Sequence, residues 1–121
     1  MKRVKPRRII SILTLSALSI LLISTEVWAG PATAWSQRTL DITIATCMTR
    51  SVNALRAAGF KDIQRDPNAV AASDGPASAW IICYSVATRR TLVTIFTAAD
   101  ELNDATRMRT RLRDFVVSGG R

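Results

Sequence analysis

Apolar residues follow three kinds of pattern along this chain. Near the N-terminus, Ile9 to Ile23 run without a charge, broken among polar residues only by Ser and Thr. Further on, Ile44, Met48, Val52 and Leu55 recur at spacings of three and four, with Leu40 and Cys47 beside them. That period predicts a helix over 40–58. Its start has a second reading: Arg38 to Ile42 alternates as a short strand would, with Thr43 then the N-cap. Its stop is Ala57-Ala58-Gly59-Phe60, where Gly takes the left-handed position and the next apolar residue folds back on the helix. Ser78 to Ala87 and Leu92 to Thr97 are rich in β-branched and aromatic residues and predict two strands. Phe60 to Gln64 and Ala69 to Ala72 predict two shorter ones, parted by Asp66-Pro67-Asn68, and Ser73-Asp74-Gly75-Pro76 predicts a turn. A last helix over 100–117 buries Leu102, Ala105, Met108, Leu112 and Phe115 and ends at Ser118-Gly119-Gly120. Gly30 to Gln37, with Pro31 and a lone Trp35, reads as a linker or loosely docked arm spanning about 30–38. The order predicts an α+β fold over 39–118: a small antiparallel sheet with two helices packed on it.

The first apolar run has a different meaning. It follows Lys2, Arg3, Lys5, Arg7 and Arg8, and it is shorter than the ~20 residues that cross a bilayer as a helix. Glu26 ends it, and Val27-Trp28-Ala29 supplies the small residues of a processing site. Residues 1–29 therefore read as a cleavable secretory signal, cut after Ala29. Ala32-Thr33-Ala34 is a second acceptable site, and an uncleaved anchor is the alternative. The residues around Arg7-Arg8 fit a twin-arginine signal poorly, which favours general secretion. No Cys lies near the cut, which disfavours a lipid anchor. The chain is expected in the periplasm or outside the cell, touching membrane only transiently through the signal.

Removal of 29 of the 121 residues leaves 92, enough for one small domain. It also removes five basic residues and one acid, so the net charge falls from +8 to +4. That is ordinary for a soluble domain and weak support for nucleic-acid binding. Cys47 and Cys83 both remain, and an even count in an exported protein favours a disulfide over two separate buried thiols.

Side chains alternate along a strand. A Cys47–Cys83 bridge would turn Cys83 toward the helices, with Ala79, Ile81 and Ser85 on the same face. Trp80, Ile82, Tyr84 and Val86 then point the other way. An even-length hairpin loop centred on Arg89-Arg90 would pair Tyr84 with Ile95 and Val86 with Val93. Four residues suit it better than two, because Arg fits poorly where φ must be positive. Val93 and Ile95 would thereby join the Trp80 face, whereas a three-residue loop would reverse them. An apolar face of that size needs a cover or a partner. Either the second helix or the Trp35 arm covers it, or it serves a homodimer, a protein partner or an apolar ligand.

Other chemistry is thinly supported. The chain has no His, which removes Ser–His and Cys–His pairs and His-ligated zinc. Two Cys without a CxxC spacing make no zinc site. Asp100, Glu101 and Asp104 lie where acids stabilise a helix start, and Arg107, Arg109, Arg111 and Arg113 follow in the order that suits the dipole. Arg107 and Arg111 share one side of that helix and are the candidate anion-binding pair. Gly119-Gly120 follows a helix instead of opening one, so it is no phosphate loop. No cofactor is implied.

The residues Cys47, Ala54-Leu55, Gly59-Phe60, Ala79, Ile81 and Cys83, then the Leu92 to Phe96 strand and the closing helix, resemble small exported bacterial proteins of unknown function. Those have one α+β domain behind a signal peptide. The resemblance implies export and pairing of the two Cys, and it brings no activity. The sequence is thus read as an exported binding or interaction module using the Trp80/Tyr84 face. Weak polyanion binding by the last helix is the first alternative, and a His-free enzyme using the acids near Asp100 is the second.

Overall fold

The structure is a computed structural model and describes residues 30–120. The expected signal at 1–29 lies outside the described residues. The elements run β1 (Ala32–Leu40), α1 (Ile44–Ala57), β2 (Ile63–Arg65), β3 (Ala69–Asp74), β4 (Ala77–Ala87), β5 (Arg90–Ala99) and α2 (Leu102–Ser118). The five strands form one antiparallel sheet in the order β1-β5-β4-β3-β2. This is the expected α+β fold with two helices on a small sheet.

Residues 30–38 are not an arm. Ala32–Leu40 pairs along its whole length with β5, from Ala32 opposite Ala99 to Leu40 opposite Thr91. A strand needs only alternation and a partner, and here the partner lies more than fifty residues away, beyond the reach of local pattern. Thr43 is then the N-cap of α1, its Oγ1 accepting from the Thr46 amide at 3.2 Å. At the other end Gly59 has φ +97°, and the Gly59 and Phe60 amides donate to Arg56 O and Leu55 O. That is the Schellman closure the Gly-Phe pair predicts. Gly119 (φ +74°) closes α2 in the same left-handed conformation.

Both helices lie on one side of the sheet. α1 packs on β3, β4 and β5, α2 packs on β1 and β5, and the helices touch each other. The core between them holds Cys47, Met48, Ala54 and Leu55 of α1, Leu112 and Val116 of α2, and Val70, Ala79, Ile81, Cys83, Val93 and Ile95 of the sheet. The Cys47–Cys83 disulfide ties α1 to β4, with Cα atoms 6.2 Å apart. Of the stripe expected on α2, Ala105 and Leu112 are buried, Met108 and Phe115 pack at the margin, and Leu102 is exposed, with Val116 taking the last core position. Two buried hydroxyls on β5 fix the segments that enter the layer. Thr91 Oγ1 donates to Ile42 O at 2.7 Å, and Thr97 Oγ1 donates to Ala105 O at 2.6 Å.

Candidate functional site

The β4–β5 register decides which side chains face away from the helices. Thr88 and Arg89 form a two-residue turn between Ala87 and Arg90, and among the described residues no non-glycine takes a positive φ. Primed turns, which match strand twist, need positive φ and are poorly served by Thr-Arg. A β-bulge at Val86, between the Ser85–Thr91 and Ala87–Arg90 pairs, accompanies this turn. The extra residue reverses the parity expected for β5. Cys83 pairs with Val93 and Ile81 with Ile95, so Val93 and Ile95 are buried beneath the helices and do not join the Trp80 face. Their places on that face are taken by Leu92, Thr94 and Phe96.

The face away from the helices is organised in rows across the strands. One row runs Trp35–Phe96–Trp80–Ala71–Gln64, each directly opposite the next on β1, β5, β4, β3 and β2. On either side lie Thr33–Ala98–Ser78–Ser73 and Gln37–Thr94–Ile82–Ala69, and beyond the latter Thr39–Leu92–Tyr84. Gln37 Nε2 donates to Thr94 Oγ1 at 3.2 Å. Neither α2 nor the β1 segment covers this surface: α2 packs on the far side, and β1 extends the face with Trp35. Trp35 and Tyr84 are each 61% exposed, Trp80 46% and Phe96 41%. Val86, at the bulge, is exposed beside them. Trp35 and Phe96 are the aromatic face residues that sequence reasoning missed. Once the β5 register is known, alternation from Trp80 would have found Phe96.

Between its two end rows this face carries no charged side chain on β1, β5, β4 and β3, and Asp62 and Asp66 flank β2 at the sheet edge. The nearest charge along β5 is Arg90 at the hairpin, 3.6 Å from Asp41 across an exposed ion pair. Toward β2 the surface dips into a shallow depression of about 230 Å³ bounded by Gln64, Ala71, Ser78 and Trp80, with Asp62 on its rim.

The candidate anion pair is brought together differently. Arg107 and Arg111 line an open cleft of about 260 Å³ with Phe60, Asp74, Met108 and Asp104. Asp104 lies 3.8 Å from Arg107, so acids share the cleft with the arginines. The carbonyl end of α1 also meets it at Ala58 and Gly59, and a helix C-terminus repels anions. Glu101 is the N-cap of α2 and makes no side-chain cap bond. Among the described residues no group of three or more His, Cys, Asp or Glu is placed to hold a metal ion. No described helix is long and apolar enough to cross a membrane. A comparison with protein-family models finds no match to this chain, and neither does one with curated proteins.

Proposed function

We propose that the chain is an exported, non-catalytic binding module that engages its partner through the open sheet face. The observation that carries this reading is the Trp35–Phe96–Trp80 row, three adjacent aromatic side chains on three neighbouring strands with no described helix or strand packed over them. Large apolar surface left in water is costly, and contiguous patches of it mark binding surfaces. The composition also fits: aromatic residues at the centre with charges only at the margin are the signature of an interface core. Binding is favoured over catalysis because both thiols are held in a disulfide and the chain has no His. The disulfide supports an oxidising compartment.

The test is site-specific photo-cross-linking in the producing cell. A photo-reactive phenylalanine analogue at position 80 should yield discrete adducts, whereas the same group at position 107, on the outer side of α2, should yield none. Absence of any adduct from position 80 rejects the reading.

A further inference from the structure

We infer that the open face is closed by the same face of a second copy of this chain, the two sheets stacking about a two-fold axis that runs along β4. This rests on the reading above that the face is a binding surface. Three observations select a second copy as the occupant.

Charge is the first. Beyond residue 29 the chain carries +4, so two copies repel over most approaches. Between the Thr33 and Thr39 rows the open face has no charged side chain on β1, β5, β4 and β3, and two such faces meet over these strands without like-charge cost. A nucleic acid would find no basic groups there to neutralise its phosphates. A small ligand would find a flat surface and one shallow depression instead of an enclosing pocket.

Side-chain size is the second. The face has a large half and a small half. On one side of β4, β1 and β5 present Trp35 and Phe96, whereas on the other side β3 presents Ala69 and Ala71. A two-fold axis lying between the sheets and along β4, the middle strand, reverses the strand order. The β1/β5 half of one copy then lies over the β3/β2 half of the other. Phe96 of each copy then lies over Ala71 of the other and Thr94 over Ala69, the interdigitation that sheets stacked ~10 Å apart require, while Trp80 meets its own counterpart on the axis. The contact is isologous, so it closes at two copies and leaves no free end for growth.

Area is the third. Five strands spaced by ~4.8 Å, with residues rising ~3.3 Å, give a footprint of roughly 500 Å². Side-chain relief raises the accessible area above that figure, toward the ~600 Å² per partner at which specific interfaces begin.

Sedimentation velocity on the purified protein tests this over a concentration series up to about 100 µM. The expected result is a dimer that dissociates on dilution. Trp80→Arg, which puts a charge at the centre, and Ala71→Trp, which fills the small half, should each raise the dissociation constant by about 30-fold or more. Far-ultraviolet circular dichroism should stay unchanged in both. Thr94→Arg gives the same reading should Trp80→Arg fail to fold. A wild-type monomer at the highest concentration overturns the second copy, as does a dimer unaffected by folded variants of this face. If a monomeric wild type still cross-links from position 80 to a species of different mass, the face binds another partner and only the second copy is wrong.

Discussion

Cys83 and Val93 are directly opposed on β4 and β5, and both are buried in the core beneath the helices. This pairing sorts every residue of β5. Odd positions from Thr91 to Ala99 turn inward, and even positions turn to the open face. The sorting predicts opposite outcomes for neighbours. Ile95→Asp places an unpaired carboxylate in the core and should cost more than about 4 kcal/mol, enough to unfold a domain of this size. Thr94→Asp, one residue away on the open face, should cost the monomer less than about 1 kcal/mol, measured at a concentration below that of self-association. Urea titration followed by circular dichroism separates the two. Equal destabilisation would mean the register is wrong.

The same pair shows where the sequence was readable and where it was not. The inward direction of Cys83, with Ala79 and Ile81, follows from the disulfide and strand alternation alone. The direction of Val93 and Ile95 depends on the count of residues between two strands. One bulge at Val86 reverses it, and nothing in Ser85-Val86-Ala87 announces a bulge. The unsuitability of Arg for a primed turn was visible, but it admits two remedies: a longer loop, or a short turn with an irregular ladder. The protein uses the second. α1, by contrast, was legible because its caps are local: Thr43 before it, Gly59-Phe60 after it. β1 was missed as an element because its ladder is made entirely with a strand at the other end of the domain. That omission hid Trp35, one third of the aromatic row.

The Cys47–Cys83 bridge joins residues 36 apart in sequence. Closing a loop of that length removes unfolded-state entropy worth about 4 kcal/mol in the chain-entropy model. Cys47→Ala paired with Cys83→Ala should therefore lower stability by about 4 kcal/mol or slightly more, because the removed sulfurs also leave a small cavity. Denaturant midpoints with and without reductant give the measurement for the wild-type chain. A shift of under about 1 kcal/mol would show that the core between α1 and β4 holds without the bridge.

Arg50 of α1 reaches across to the end of α2, where its Nη1 donates to Val116 O at 3.1 Å and Val117 O at 3.3 Å. These carbonyls belong to the last turn, which has no intrahelical donors, and a cation there also suits the dipole. Arg50→Ala should destabilise by about 1–2 kcal/mol, and Arg50→Lys by less, since it keeps the charge. Gly119→Ala disturbs the same junction from the other side. It forces a side chain into φ +74° and sets a Cβ 3.1 Å from Arg50 Cζ. Its cost should be smaller in an Arg50→Ala background, and a double-mutant cycle measures the difference.

Arg107 and Arg111 should contribute little to polyanion binding. They share their cleft with Asp74 and Asp104, and the carbonyl end of α1 adds negative potential there. Replacing both with Ala should leave the salt concentration for elution from heparin close to that of the wild type. A clear drop in that concentration would restore the anion-binding reading of this helix face.

The position of β1 bears on where a processed form of this chain would begin. A cut after Ala34 would remove the first three residues of the strand, which pair with Thr97, Ala98 and Ala99. It would also empty the small cluster that Ala34 makes with Ala99 and Ala105. Thr97 Oγ1, 3.3 Å from Ala34 O, would lose that neighbour, and Trp35 would become a terminal residue at the sheet edge. A cut after Ala29 leaves the whole strand in place. The processed protein is therefore expected to begin at Gly30, as read by intact mass or N-terminal sequencing. A protein engineered to begin at Trp35 should melt at a lower temperature, because it gives up three ladder residues and the apolar contact of Ala34 with α2. Finding Trp35 as the natural first residue would instead mean that β1 holds its place through Trp35–Leu40 alone, and that the aromatic row starts at the chain terminus.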